Sequence, residues 1–459
     1  ISLDSTMGTV LQGSSPSIMS IDSGYSDPSR GTALPVTQCF GTKTKIIDHK
    51  DMFFELENLG VMIDPKCGGC KCAGCPILGS KYSFSEQKQF DIIQKNLFYD
   101  ESLKRWFTQY PWKLPRDSLP KNYKVALQNL YAMEKRLSHD EELAQDFCDQ
   151  IQAMIDRGAA VILSEDDISK WEGDYYYLAL VGIKGKKKWL RICFDASRKQ
   201  GGRLSMNDCL YKGPDRFMNN LLSVCLGFRN GRVAAAADLS KFHNQVRLVP
   251  ADIHMQRFLW RGMQREEPPK TLAVIVNNFG LANCIATCAL HKSADVFSND
   301  YPEASQAIKE QTYIDDELVA DENTTRLHRK TDQMDEITAH AGMSNKGWTY
   351  SGDISSDIEI GGYSGESEEE KVLGLLWDPK TDMFRFQTKL KLRIDSDCGP
   401  IDVLICSEEE LDTHLKDIVL TRKVVLSNVM RVFDPIGLLS PLILQAKLLI
   451  REAWNIEGL

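Results

Sequence analysis

The chain has 459 residues, of which 42% are hydrophobic and 26% charged, and these values are typical of a soluble globular protein of two or three domains. Its net charge of −9 excludes a protein coated uniformly in basic residues, so any contact with nucleic acid must be local. No signal peptide is evident, no apolar run is long enough to span a bilayer, and the 13 cysteines are scattered apart from one cluster. Reduced thiols are therefore expected, which favours an intracellular, cytoplasmic location.

The first part of the chain predicts a linker followed by helices. Residues 1–45 are rich in Ser, Gly, Thr and Pro and carry little periodicity. Residues 46–120 are mixed and contain the cluster "CGGCKCAGCP". Further on, Ser138 and Glu141 have the spacing of a capping box and predict the start of a helix. The apolar face of that helix is predicted to consist of Leu143, Phe147, Ile151 and Met154.

Two β-prone runs, 175–183 and 187–194, flank Lys184–Gly185 and predict a hairpin with a turn glycine. Lys188 and Arg191 belong to a basic cluster at or near its tip, and such a cluster by itself is most often a solvated surface. Strand-like and helical segments alternate from there to about residue 350, and the end of the chain is helical again. The pattern predicts an α+β fold.

Three aspartates stand at the ends of apolar, strand-like runs. Asp238 ends the run 233–237, and Asp315 and Asp316 follow the apolar residues of "QTYIDDELVA", in the predicted turn of a second hairpin. An Asp-Asp pair alone is a good turn dipeptide. Two adjacent strand ends would, however, bring three carboxylates together, and these repel one another unless divalent cations lie between them. Oxygen ligands favour Mg²⁺ or Mn²⁺, and two such ions stabilise the attacking and leaving oxygens of phosphoryl transfer.

The motifs around these aspartates resemble those of a known family. "DLSKFHNQV", "FGLAN" and "YIDD" resemble the successive palm motifs of reverse transcriptases, and "KKKWLRICFDAS" resembles the fingers motif before them. "CGGCKCAGCP", "YPW", "LSMNDCLYKGPD", "QRFLWR", "VLGLLWDP" and "FDPIGLLSPLILQAK" resemble, in order, segments of Bel/Pao-type LTR retrotransposon polyproteins. The resemblance covers nearly the whole chain. It implies an RNA-directed DNA polymerase with a right-hand fold: fingers, a palm with an antiparallel sheet and a thumb, preceded by a loop-rich N-terminal segment.

The resemblance also implies a division of the chain into four regions. Residues 1–45 would be the tail of a retropepsin-like domain and a linker, 46–120 a cysteine-cluster connecting region, 121–355 the fingers and palm, and 356–459 a thumb or connection region. The implied partners are an RNA or DNA template-primer and dNTPs, with no membrane. The protease, RNase H and integrase segments of the polyprotein are expected outside this chain, the last two after residue 459. A virus-like particle in the cytoplasm is the implied location.

Residue roles follow from the same resemblance. Asp238 and Asp315 would ligate two Mg²⁺ or Mn²⁺ ions, and Asp316 would support them and hold the turn. The nucleotide-binding residues implied by the family are Lys188, Arg191, His243, Phe279 and Gly280.

The chain departs from the family pattern at two points. At the fifth position after the first aspartate, reverse transcriptases commonly have Phe or Tyr, a steric gate against the ribose 2′-hydroxyl. This chain has His243, so either His243 gates the sugar or the backbone shifts and Phe242 does. Lys346 is separated from its expected Trp neighbour by Gly347. A second interpretation therefore stays open: a decayed or domesticated copy that binds nucleic acid without catalysis.

The cysteine cluster and an aspartic-protease tripeptide are further candidates. The cluster has C-x2-C-x-C-x2-C spacing, and its members are Cys67, Cys70, Cys72 and Cys75. Four thiolates bind one structural Zn²⁺, but the single-residue gap is tighter than in zinc ribbons or fingers, so a reduced loop-forming cluster is an equal alternative. Asp22 begins Asp-Ser-Gly within a Ser-rich linker and lacks the flanking apolar strands of a protease site. A working protease is therefore the weakest of the three hypotheses.

Overall fold

The structure is a computed structural model that describes residues 82–459 apart from 185–189, 200–202, 215–216, 279, 282–283, 353–369, 387–388, 391–400, 403–420, 433 and 456–459. Several predictions concern residues outside this part of the chain, namely those made for Asp22, Cys67, Cys70, Cys72, Cys75, Lys188 and Phe279.

The described elements alternate between helices and short strands. The helices are α1 Phe84–Asn96, α2 Tyr123–Leu137, α3 Glu141–Asp156, α4 Glu165–Ser169, α5 Leu221–Phe228, α6 Pro250–Ile253, α7 Ile285–Val296, α8 Pro302–Gln311, α9 Thr324–His340, α10 Arg422–Val429 and α11 Ser440–Asn455. The strands are β1 Leu97–Asp100, β2 Arg105–Thr108, β3 Ala160–Ile162, β4 Ala179–Lys184, β5 Leu190–Asp195, β6 Val233–Asp238, β7 Arg247–Leu248, β8 Arg257–Trp260, β9 Lys270–Val274, β10 Thr312–Tyr313, β11 Asp316–Asp321, β12 Thr349–Tyr350, β13 Glu370–Val372, β14 Leu375–Asp378, β15 Met383–Arg385, β16 Lys389–Leu390 and β17 Ile401–Asp402. Within the described residues, no helix combines the length and apolar character needed to cross a membrane.

The sheet that carries two of the predicted aspartates has the order β10-β11-β6-β12, and all its pairs are antiparallel. Its strand β6 is buried on both faces. Ala235 and Ala237 belong to the main hydrophobic core, whereas Ala234 and Ala236 belong to a second, smaller core. A strand covered on both sides reads as a continuous apolar run instead of an alternation, which explains the sequence "VAAAAD".

The second core lies between helix α5 and the sheet β13-β14-β15. The rings of Phe228 and Trp377 meet edge to face at 5.0 Å between centroids, and both side chains are fully buried. Leu318 of β11 completes this core from the sheet β10-β11-β6-β12, which is called the central sheet below. One face of the sheet β10-β11-β6-β12 is therefore covered in part by β13-β14-β15, a segment that follows it in the chain.

The local predictions are confirmed in part. The hairpin predicted around Lys184–Gly185 is formed by β4 and β5, which pair antiparallel. The helix predicted after Ser138 is α3, but its N-cap is Asp140, whose side chain accepts a hydrogen bond from the backbone N–H of Leu143 at 2.9 Å. Ser138 instead ends α2, so the capping-box prediction is wrong. The predicted face is buried at Phe147, Ile151 and Met154.

A buried carboxylate ties the segment around "YPW" to helix α6. Asp252 is fully buried, and its Oδ2 accepts a hydrogen bond from the backbone N–H of Tyr110 at 2.6 Å. Its Oδ1 accepts from Nε1 of Trp112 at 2.8 Å and from Nε and Nη2 of Arg116 at 3.0 and 2.8 Å. A buried charge is tolerated only when it is paired and hydrogen-bonded, and Asp252 meets both conditions. The motif therefore has a structural explanation.

We expect Asp252→Ala to lower the free energy of unfolding by about 2–4 kcal/mol, because the backbone N–H of Tyr110, Nε1 of Trp112 and the guanidinium of Arg116 would lose their buried acceptor. The matched control is Asp166→Ala, which removes an ion pair with Lys170 whose carboxylate and ammonium side chains are 77% and 76% exposed. That change should stay within about 1 kcal/mol of the wild type. Urea denaturation of the three proteins measures the difference, and equal losses in both variants would contradict a structural role for Asp252.

Candidate active site

The structure brings the three predicted aspartates together at one end of the paired strands β6 and β11. Asp238, the last residue of β6, pairs in register with Asp316, the first residue of β11. The backbone N–H of Leu239 donates to the carbonyl oxygen of Asp315 at 2.7 Å. Asp315 lies between β10 and β11, whereas Asp316 already belongs to the strand, so placing both residues in the turn is right for Asp315 only.

The turn between β10 and β11 is strained. Ile314 has a φ of 59°, a left-handed conformation that is unfavourable for a β-branched residue. Its side chain packs against the main core, and the strands on either side are paired. Packing and pairing therefore impose the backbone conformation that holds Asp315 next to the end of strand β6.

Burial and neighbouring carboxylates raise the pKa of Asp315 and of Asp316. Burial raises the pKa of Asp316 to about 7, and the negative charges of Asp315 and Asp238 add to this rise. The pKa of Asp315 is also raised, first by burial and then by Asp238. Lys346 opposes the rise at both residues, and Arg191 opposes it at Asp315. The site therefore carries an excess of negative charge that a further cation would offset.

Lys346 contacts the first aspartate directly. Its Nζ lies 2.6 Å from Oδ1 of Asp238, and its backbone N–H donates to the carbonyl oxygen of Asp238 at 3.0 Å. The sequence matches Lys346 to the family only loosely, because Gly347 follows it. In the structure Lys346 nevertheless contacts Asp238, one of the three candidate catalytic aspartates.

Glu317 occupies the opposite face of the same strand. It is fully buried, and within the described part of the chain neither of its carboxyl oxygens has a hydrogen-bond partner. Burial raises its pKa well above the usual range, and Asp335 on helix α9 raises it further. Successive residues of a strand point to opposite faces, which separates Glu317 from Asp316. The sequence anticipates this orientation but not the proximity of Asp335.

Two of the predicted nucleotide-binding residues lie on or against strand β5. Arg191 is an exposed residue of that strand, and its charge acts on Asp315. Gly280 has a φ of 99°, and its carbonyl oxygen accepts a hydrogen bond from Nδ2 of Asn207 at 3.0 Å. A Cβ at Gly280 would lie 2.1 Å from the carbonyl oxygen of Phe194, so only glycine permits this approach to the strand.

The residues proposed for sugar gating differ in burial. Both lie in the 3₁₀ turn Phe242–Gln245, which follows Lys241 at a φ of 50°. Phe242 is buried in the main core, whereas His243 is partly exposed. Burial of its ring lowers the pKa of His243 and favours the neutral imidazole. Of the two side chains, His243 is therefore the one with access to a ligand in this conformation.

The acidic residues fit a divalent cation in their chemistry. Among the described residues, no three His, Cys, Asp or Glu side chains are arranged as a ready metal cage. The donor set of Asp238, Asp315 and Asp316 consists of carboxylate oxygens, which Mg²⁺ and Mn²⁺ prefer. The ammonium group of Lys346 already contacts one of these oxygens, Oδ1 of Asp238, so a positive charge is accommodated at this end of the strands.

One family comparison gives a match. Residues 421–458 match the model described as Pao retrotransposon-like RNaseH-like domain. This match supports a Bel/Pao retrotransposon polyprotein as the source of the chain. It covers helices α10 and α11. A search of curated proteins found no match.

We expect Gly280→Ala to destabilise the protein more than Gly262→Ala. Both glycines have positive φ, 99° and 61°, but a Cβ at Gly262 meets open space. Gly262→Ala should therefore cost only about 1–2 kcal/mol for the backbone conformation. Gly280→Ala should cost about 1–3 kcal/mol more, because strand β5 must shift. Chemical denaturation checks the order, and equal costs would contradict the close approach to Phe194.

Proposed function

We propose that this chain is the reverse transcriptase segment of a Bel/Pao-type element, an RNA-directed DNA polymerase with a right-hand fold. The observation that carries the proposal is the register that sets Asp238 against Asp316, with Asp315 in the adjoining turn. In this proposal the sheet β10-β11-β6-β12 is the palm, the hairpin β4–β5 belongs to the fingers, and residues 356–459 form a thumb or connection region. The family match at residues 421–458 supports the retroelement origin of the chain.

The proposed reaction joins a dNTP to a primer. The primer 3′-hydroxyl attacks the α-phosphorus of the dNTP, a P–O bond forms, and pyrophosphate leaves with the electrons of the broken bond. Asp238, Asp315 and Asp316 would hold two Mg²⁺ or Mn²⁺ ions, which when bound neutralise phosphate charge and lower the pKa of the 3′-hydroxyl. Lys188 and Arg191 would bind the triphosphate, as a point charge and a planar fork respectively.

The rigidity of the sheet supports this role. Asp238 and Asp316 stand on paired strands whose side chains fill two cores, and the strained turn at Ile314 fixes Asp315 beside them. Catalytic groups held in one geometry before substrate arrives need no rearrangement during the reaction. A template-primer would therefore meet carboxylates that are already in place.

The second candidate function is nucleic-acid binding without catalysis. His243 at the gate position favours it, because a polar imidazole stands where reverse transcriptases commonly have a phenyl or phenol ring. Template-primer binding that is unchanged by Asp238→Ala, with no primer extension by the wild type, would establish this function in place of the first.

Primer extension on an RNA template with Mg²⁺ tests the polymerase proposal. We expect the wild type to extend the primer and Asp315→Asn to reduce extension to background, because the amide carries no charge to hold a cation. The control is Asp300→Asn, a change of the same kind at an exposed residue between α7 and α8, which should leave extension unchanged. Extension by Asp315→Asn at the wild-type rate would refute the assignment of Asp315.

Sugar selection tests the role of His243. Imidazole is smaller than a phenyl or phenol ring and can hydrogen-bond to a 2′-hydroxyl, so we expect weaker preference for dNTP over rNTP in the wild type than in His243→Phe. The measurement is the ratio of kcat/KM for the two nucleotides. Phe242→Leu, which keeps an apolar side chain in the core, should leave the ratio unchanged. A ratio relaxed by Phe242→Leu alone would move the gate to Phe242.

A further inference from the structure

The segment Ser344–Trp348 runs along the end of strand β6 and carries Lys346. The backbone N–H of Ser240 donates to the carbonyl oxygen of Ser344 at 2.8 Å, and Leu239 forms a β-bridge with Asn345. Strand β12 pairs farther along β6, since Thr349 pairs with Ala236, and between these two pairs the segment has one residue more than β6. This segment therefore extends the central sheet up to the carboxylates.

Asp335 on helix α9 anchors the segment from the side away from the carboxylates. Its Oδ1 accepts hydrogen bonds from Nε1 of Trp348 at 2.9 Å and from Nδ2 of Asn345. The Oδ1 of Asn345 in turn accepts from the backbone N–H of Gly347 at 3.0 Å. One carboxylate thus holds the residues on both sides of Lys346.

Gly347 allows its neighbours Lys346 and Trp348 to contact different carboxylates. Its φ of 111° lies in a region that side chains rarely adopt. As a result, Trp348 is buried and reaches Asp335, while Lys346 stays exposed and reaches Asp238. The glycine that interrupts the family pattern is the residue that makes this arrangement possible.

The ion pair itself would not hold Lys346 in place. The side chains of Lys346 and Asp238 are 61% and 44% exposed, and such a pair contributes little by itself. The backbone contacts and the anchor on Asp335 determine the position of the lysine. Its charge nevertheless acts on all three carboxylates, because it contacts Asp238 and opposes the raised pKa of Asp315 and Asp316.

We propose that Asp335 is a positioning residue that holds Lys346 as the resident counter-ion of Asp238, and that a divalent cation must compete with this lysine for the carboxylate. The inference rests on the cation site of the proposed function. It assigns to the segment Ser344–Trp348 control over how tightly the site binds metal.

Binding of Mn²⁺ to the full chain, measured by the electron paramagnetic resonance signal of free Mn²⁺, tests the competition. We expect Lys346→Met to lower the Kd for Mn²⁺ about five- to tenfold, because one positive charge near the site is removed. Lys170→Met, which removes an exposed lysine paired with Asp166, should leave the Kd unchanged. A Kd for Lys346→Met equal to or higher than that of the wild type would overturn the proposal.

A double-mutant cycle tests the positioning role of Asp335. Asp335→Ala should also lower the Kd, by less than Lys346→Met, and should add nothing in the Lys346→Met background. Asp335→Asn keeps an oxygen acceptor for Trp348 and Asn345, so it should restore a Kd near that of the wild type. An equal shift by Asp335→Ala with and without Lys346 would show that the effect does not pass through the lysine, and would overturn the assignment.

One more variant separates this inference from the proposed function. Loss of Mn²⁺ binding in Asp315→Asn establishes the cation site, and the Lys346 and Asp335 results then decide the inference alone. Mn²⁺ binding that persists in Asp315→Asn would refute the proposed site itself. Failure of both the wild type and Lys346→Met to bind Mn²⁺ would overturn both proposals together.

Discussion

Antiparallel pairing between strands β6 and β11 determines where the candidate carboxylates lie. The register places Asp238 opposite Asp316 and Ala237 opposite Glu317. A slip of one residue would turn each apolar side chain to the other face. Because both faces of this pair are filled, by the main core on one side and the second core on the other, such a slip would disrupt two cores at once. The arrangement of the carboxylates is thus a consequence of apolar packing along the whole strand.

Unfavourable local features concentrate at the end of these strands. Three carboxylates stand together, Ile314 adopts a left-handed backbone, and Glu317 is buried without a hydrogen-bond partner among the described residues. Each of these conflicts with an ordinary rule of protein stability, and such conflicts are expected at functional sites. The charges of Lys346 and Arg191 compensate for part of the repulsion. The remainder is consistent with a site built to receive further positive charge.

Sequence patterns predict the carboxylates well because the signal is local. An aspartate at the end of an apolar run is visible in the sequence alone, and so is the hairpin β4–β5. Partners distant in the chain were harder to predict: Lys346 is separated from Asp238 by 108 positions, and the role of Asp335 depends on how helix α9 packs. The helix start at Asp140 was missed for another reason, since Ser138 and Asp140 are both good capping residues and only the packing selects one.

The second core has a consequence for dividing this chain into smaller pieces. Leu318 and Ala236 are covered by residues that come after residue 370, among them Leu375 and Trp377. A fragment that ended soon after the "YIDD" hairpin would keep helix α5 on this face but expose the apolar surface that Leu375 and Trp377 cover, and exposed apolar patches tend to associate with other chains. A piece of the chain that keeps the second core intact must therefore extend through β15, well beyond the last residue with a proposed chemical role.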